Sequence, residues 1–152
     1  MSAEGLGSLY QEVIMDHARQ RHGEGPGESP AAASHQLNPS CGDEITLRVH
    51  MSAAGDTVES LSWEGQGCAI SQASASMLHD LAHDLTPAEL EVRIGAFREM
   101  LRSRGADEGD PELLGDAVAL SGTSRYASRV KCAMLGWVAL EDALHQLEDA
   151  DS

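Results

Sequence analysis

Two short runs in which apolar and polar residues alternate, 45–49 and 58–63, restrict the fold more than any other sequence pattern. A period of two is typical of strands that bury one face. The turn-forming segment 53–56 predicts that these strands are joined as a hairpin, and we expect a short third strand after Gly65. The apolar residues that follow repeat at helical spacing. Strands followed by helices indicate an α+β fold, in which a small three-stranded antiparallel sheet carries helices packed on one face.

The helix starts are marked by N-cap residues. We predict an opening amphipathic helix that extends to His17, a second helix capped by Ser71 and a third capped by Thr86, with Pro87 in its first turn. A final helix is expected to begin near Ser128.

We expect residues 1–152 to form a single domain. Residues 23–34 are rich in Gly, Pro and Ser, and predict a flexible loop. The C-terminal residues 148–152 predict a solvated acidic tail.

Composition restricts the partners and the location of the protein. The net charge of −15 disfavours nucleic acid binding, because the phosphate backbone would be repelled. No apolar run is long enough to span a membrane, and the N-terminal residues lack the pattern of an export signal. We therefore expect a cytoplasmic protein.

Three cysteines and one aspartate are the candidate site residues: Cys41, Asp43, Cys68 and Cys132. In a reducing compartment the cysteines should be thiols, thiolates or metal ligands. Cys41 and Asp43 share a tight turn, whereas Cys68 and Cys132 are predicted near helix N-termini, which favour the thiolate. The alternative is that each cysteine is a small buried apolar residue. These residues by themselves indicate a site of three thiolates and one carboxylate, and no specific chemistry.

The segment His79–His83 resembles the HExxH pattern of zinc proteases, but an aspartate replaces the usual glutamate. On a helix that starts at Ser71, His79 would lie about 16 Å from Cys68. We therefore interpret this segment as a polar helix face.

Four segments resemble the SufU branch of the IscU/NifU-type proteins: residues 9–17, 38–44, 65–76 and 128–135. The resemblance implies a SufE/IscU-like fold and a Zn²⁺ ion bound by Cys41, Asp43, Cys68 and Cys132. It also implies that Cys41 accepts sulfur from a SufS-type cysteine desulfurase, for delivery to downstream Suf scaffold proteins. Such a protein is a sulfurtransferase-like partner of the desulfurase rather than a stand-alone enzyme.

Two alternatives to this function stay open. The same ligands could assemble a transient [2Fe–2S] cluster, or the zinc could be purely structural. Lys131 stands where scaffold-type relatives have a histidine, and this favours the SufU branch; Arg129 matches a SufU-type position that supports the site or the docking surface. The chain departs from the family pattern after His17, where Ala18–His22 replaces a proline-containing turn.

Overall fold

The computed structural model describes residues 3–40 and 42–151. The chain forms, in order, α1 (Ala3–Gln20), β1 (Ala32–Asn38), β2 (Asp43–Met51), β3 (Val58–Gln66), α2 (Ala69–Leu81), α3 (Pro87–Arg102), α4 (Pro111–Leu114), a 3₁₀ segment (Gly115–Arg125) and α5 (Ala127–Asp151). Within the described residues, every helix is too short or too polar to cross a bilayer.

The three strands form one antiparallel sheet in the order β1–β2–β3. In the central strand, Ile45, Leu47 and Val49 are buried, as the alternating pattern predicts. The prediction of a third strand after Gly65 is wrong: β3 continues to Gln66, and the third strand is β1, which comes first in the chain. The sequence of β1 hides its alternation, because Ser34 and Asn38 are among the residues on its buried side.

Helix α2 begins three residues earlier than predicted. Cys68, not Ser71, is its N-cap residue, with extended backbone angles. Ser71 lies inside the first turn and its hydroxyl donates to the Cys68 carbonyl at 2.9 Å. The predicted start of α3 is confirmed, since Thr86 and Glu89 form a reciprocal capping box with Pro87 in the first turn.

Helix α5 begins at Ala127, one residue before the predicted start near Ser128, and Cys132 lies in its second turn. The residues predicted as an acidic tail continue this helix as far as Asp151. Part of the predicted loop 23–34 is also ordered into the sheet: β1 begins at Ala32, and the Gly25 N–H donates to the Trp63 carbonyl at 2.8 Å.

The core lies between the sheet and the helices, as expected for the α+β fold. Helix α5 packs across β1 and β2, and α2 packs against both β3 and α5. Trp137 of α5 stacks on Phe97 of α3, with ring centroids 3.9 Å apart. Its indole N–H donates to Ser74 Oγ at 2.9 Å, and that hydroxyl donates to the Ala133 carbonyl at 2.6 Å. This buried polar chain fixes α2 against α5, the two helices that carry Cys68 and Cys132.

Candidate metal centre

Three of the four predicted ligands converge at one end of the sheet. Asp43, Cys68 and Cys132 each offer one ligand atom, and these atoms lie within 4.8 Å of one another. Asp43 is the first residue of β2, Cys68 is the N-cap of α2, and Cys132 lies in the second turn of α5. The cluster therefore exists only when the sheet and both helices are assembled.

Asp43 is fully buried and is held by the start of α2. Its Oδ1 accepts the main-chain N–H of Cys68 at 2.9 Å, and its Oδ2 lies 4.0 Å from Cys68 Sγ. Gly67 makes this approach possible, because a Cβ at that position would lie only 2.2 Å from Asp43 Oδ1.

The two cysteines differ in access. Cys68 is half-buried, and its Sγ lies 4.0 Å from Ser71 Oγ. Cys132 is 2% exposed, and its Sγ donates to the Ser128 carbonyl at 3.5 Å. This contact of Ser71 with the site was not predicted, because its residue type and position favoured a helix N-cap.

Cys41 lies outside the described residues, so its role stays a prediction. On either side of it, Asn38 pairs with Asp43 across β1 and β2, and the Gly42 N–H donates to the Asn38 carbonyl at 2.9 Å. Gly42 has a φ of 72°, a conformation that glycine adopts without strain. The tight turn predicted from the sequence is therefore present around this position.

The two predicted supporting residues are both exposed. Lys131 precedes Cys132 in α5, but successive residues of a helix point about 100° apart. Its side chain is therefore directed away from the buried thiol. Arg129 lies in the first turn of α5 and lines an open groove that reaches Cys68.

This groove has a volume of ≈ 1370 Å³ and lies between α1, the start of α2 and the 3₁₀ segment. Arg19, Arg125 and Arg129 line it, which are three of the ten Lys and Arg residues in an acidic chain. Exposed apolar side chains line it as well, Met15 at 50% and Tyr126 at 63% exposure. This groove could not be predicted from local sequence patterns, because the elements that line it are far apart in the chain.

The histidines of the HExxH-like segment belong to no candidate metal group among the described residues. His79 Nδ1 lies 2.8 Å from the Leu61 carbonyl oxygen, and His83 Nδ1 lies 3.2 Å from that of Glu59. Both imidazoles therefore join α2 and the residues after it to β3. His79 is half-buried, so the segment is less exposed than the polar helix face that we predicted.

The donor set at the Asp43–Cys68–Cys132 cluster fits a zinc ion. Thiolate sulfur and carboxylate oxygen are both zinc ligands, and a structural zinc site takes four of them in tetrahedral arrangement. The cluster has two buried members, Asp43 and Cys132, and one half-buried member, Cys68, and it offers two sulfurs and one oxygen. Thiolates also hold iron–sulfur clusters, so the donor set is compatible with that cofactor too.

The fold and the cluster define a class of small α+β proteins that gather Cys and Asp ligands at one end of a three-stranded sheet. Residues 9–133 match the family model described as the NifU-like N terminal domain, and the chain belongs to this family. The family resemblance found in the sequence is thereby confirmed.

Two curated relatives and one solved structure illustrate the match. The chain is 38% identical over 145 residues to the zinc-dependent sulfurtransferase SufU of Bacillus subtilis, covering 94% of both chains. It is 34% identical to the iron–sulfur cluster assembly scaffold protein IscU of Streptococcus pyogenes, covering 99% of this chain and 91% of the relative. The crystal structure of FiSufU from Fervidobacterium islandicum AW-1 superposes with a TM-score of 0.77 at 33% identity, covering 90% of this chain and 97% of that one.

Proposed function

We propose that this protein is a zinc-binding sulfur acceptor in iron–sulfur cluster assembly, and that it receives sulfur from a SufS-type cysteine desulfurase. The observation that carries the proposal is the convergence of Asp43, Cys68 and Cys132 within 4.8 Å. Cys41 precedes Asp43 by two residues in the chain and is the proposed acceptor. The similarity to a relative named as a zinc-dependent sulfurtransferase supports the same function.

The proposed zinc ligands are Cys41, Asp43, Cys68 and Cys132. Zinc, when bound, keeps its thiolate ligands deprotonated and joins the elements that carry them. The chain's own contribution is to orient the ligands: Cys68 N–H holds one oxygen of Asp43, while Gly67 leaves room for it.

The proposed transfer is a thiol–persulfide exchange. The Cys41 thiolate attacks the outer sulfur of the desulfurase persulfide, so that a sulfur–sulfur bond forms on Cys41 and the bond within the donor persulfide breaks. The desulfurase cysteine leaves as a thiolate, and no external oxidant or reductant is needed. The persulfide on Cys41 then passes its sulfur to downstream Suf scaffold proteins.

The groove beside Cys68 is the proposed docking surface for the desulfurase. It combines exposed apolar side chains with three arginines and ends at a candidate ligand, so a partner bound there would reach the cluster. The net charge of −15 favours a partner with a basic patch on the surrounding surface. We place this encounter in the cytoplasm, where thiols are kept reduced.

The alternative function is a scaffold that assembles a transient [2Fe–2S] cluster on the same ligands. The similarity to a relative named as a scaffold protein favours it. Lys131, which replaces the histidine expected of scaffold-type relatives, favours the acceptor instead.

The test is the rate of sulfide release by a cysteine desulfurase with and without this protein, together with its metal content. We expect faster turnover, one tightly bound zinc at the cysteine site, loss of the acceleration in Cys41→Ser, and loss of that zinc in Cys68→Ala. A Cys41→Ser protein that still accelerates the desulfurase would contradict the acceptor role. Iron and sulfide bound with an unchanged desulfurase rate would instead support the scaffold.

A further inference from the structure

A second group of potential metal ligands lies at the junction of α1 and α2, apart from the cysteines. His17, His22 and Asp80 each offer one ligand atom, and these atoms lie within 4.8 Å of one another. His17 is in the last turn of α1, His22 follows the end of that helix, and Asp80 is near the end of α2. His22 belongs to the Ala18–His22 run in which this chain departs from its family's pattern.

His17 is buried and oriented from both sides of its ring. Its side chain is 6% exposed; Nε2 lies 2.9 Å from Asp116 Oδ2, and Nδ1 lies 2.7 Å from Ser76 Oγ. Ser76 Oγ also accepts the main-chain N–H of His22 at 2.9 Å. One buried hydroxyl therefore fixes both the His17 ring and the backbone of His22.

The other two ligands face solvent. The side chains of His22 and Asp80 are 36% and 42% exposed, and His22 Nδ1 lies 2.7 Å from Asp80 Oδ2. The group thus has one buried, positioned imidazole at its base and an exposed imidazole–carboxylate pair at its mouth.

We propose that His17, His22 and Asp80 form a second metal site, which binds a divalent first-row ion such as Zn²⁺. Two imidazoles and one carboxylate are a donor set that suits zinc and its neighbours in the transition series. Binding would exchange the His22–Asp80 hydrogen bond and one hydrogen bond of His17 for metal–ligand bonds. The hydrogen bond that His17 keeps would orient its ring, as hydrogen-bond partners of the second ring nitrogen do for metal-bound histidines.

The third ligand group, Glu91, His145 and Glu148, provides a contrast. It lacks a buried member, because the His145 side chain is 56% exposed and that of Glu91 is 39% exposed. The substitution His145→Ala removes an exposed imidazole that is not part of the proposed site. It is therefore a matched control for His22→Ala.

A metal ion in this second site would join α1 to α2, and both helices line the groove at Cys68. Bound metal should therefore slow amide hydrogen exchange at the C-terminal end of α1. This expectation does not depend on the cysteines, so failure of the proposed sulfur-acceptor function would leave it intact.

The experiment is a Zn²⁺ titration of the full chain, followed by Co²⁺ substitution. We expect two equivalents of Zn²⁺ to bind to the unaltered protein and to His145→Ala. We expect one equivalent of Zn²⁺ to bind to His22→Ala and to Asp80→Ala. His22 and Asp80 are partly exposed, so these two variants should fold, and buried His17 is left unaltered. Cys68→Ser should still bind one equivalent of Zn²⁺ at the proposed site of His17, His22 and Asp80.

Cobalt distinguishes the two sites by their ligands. In Cys68→Ser/Cys132→Ser we expect a weak visible spectrum without strong thiolate charge-transfer bands, and we expect His22→Ala to abolish it in that background. Two outcomes would overturn the proposal. One is a single bound Zn²⁺ in the unaltered protein, and the other is a second bound Zn²⁺ that is still present in His22→Ala.

Discussion

The main-chain N–H of Cys68 donates to Asp43 Oδ1 at 2.9 Å, so the first residue of β2 is bonded to the N-cap residue of α2. This single hydrogen bond connects the sheet to a helix at the point where two candidate ligands meet. Asp43 therefore has two tasks: it holds the start of α2, and it presents its second oxygen toward the cysteine sulfur.

Changes at Asp43 should separate these two tasks. Asp43→Asn keeps an acceptor for the Cys68 N–H, whereas Asp43→Ala leaves that part-buried donor without this acceptor, at a cost of about 1–3 kcal/mol. In urea unfolding of chelator-treated protein, we expect Asp43→Ala to be clearly less stable than Asp43→Asn. Both should bind zinc more weakly than the unaltered protein in a competition with a chromophoric chelator. Equal stabilities of the two variants would contradict the role of the hydrogen bond.

Gly67→Ala should displace Asp43. The added Cβ would lie 2.2 Å from Asp43 Oδ1 and 2.7 Å from Ser71 Oγ, so the carboxylate must move away from Cys68. We expect weaker zinc binding and a lower unfolding midpoint. Gly95→Ala is the control, because a Cβ there meets no atom within 4 Å and alanine stabilises a helix interior by about 0.5–1 kcal/mol over glycine. Unchanged zinc affinity in Gly67→Ala would show that the site tolerates the shift.

Ser74→Ala should destabilise the contact between α2 and α5. It removes the acceptor of the Trp137 indole N–H and the donor to the Ala133 carbonyl, all of them buried. An unsatisfied buried group costs about 1–3 kcal/mol, so the free energy of unfolding should fall by about that amount. Ser8→Ala, on the exposed part of α1, should leave it unchanged. The measurement is chemical denaturation monitored by tryptophan fluorescence.

The ionised carboxylate of Glu89 should contribute to the free energy of unfolding in a pH-dependent way. The Thr86 main-chain N–H, then the Thr86 hydroxyl and the charge of Arg93, lower the pKa of Glu89 below its ordinary value of 4.5. A lowered pKa in the folded state means that the ionised group stabilises the fold above pH 4.5, and that this contribution is lost as the pH falls through the folded pKa. The stability difference between the unaltered protein and Glu89→Gln should therefore shrink on acidification. A difference that grows as the pH falls would contradict this assignment.

The parts of the fold that the sequence predicted are those in which side-chain pattern and local geometry agree. The central strand, the capping box at Thr86 and the turn around Gly42 depend on neighbours in the chain. The strand β1 was missed because small and polar residues such as Ser34 occupy its buried side. Ser34 is satisfied there by Asp142, a residue of α5 that is remote in sequence.

The N-cap of α2 shows a similar limit. Ser71 is the better cap by residue type, yet Cys68 takes that position. The helix starts there because Asp43 accepts the Cys68 N–H and the Ser71 hydroxyl donates back to the Cys68 carbonyl. A tertiary contact with β2 thus explains why α2 starts three residues before the position predicted from the sequence.

The sequence by itself determined the family, the α+β class and the identity of the candidate ligands, because these depend on residue types in a fixed order. Only the tertiary structure decided that Asp43, Cys68 and Cys132 meet, since their separations in the chain carry no information about distance in space. It alone brought His17 and His22 next to Asp80 and formed the groove at Cys68. Both features arise where α1 packs against α2, and a packing of helices far apart in sequence leaves no local pattern from which it could be predicted.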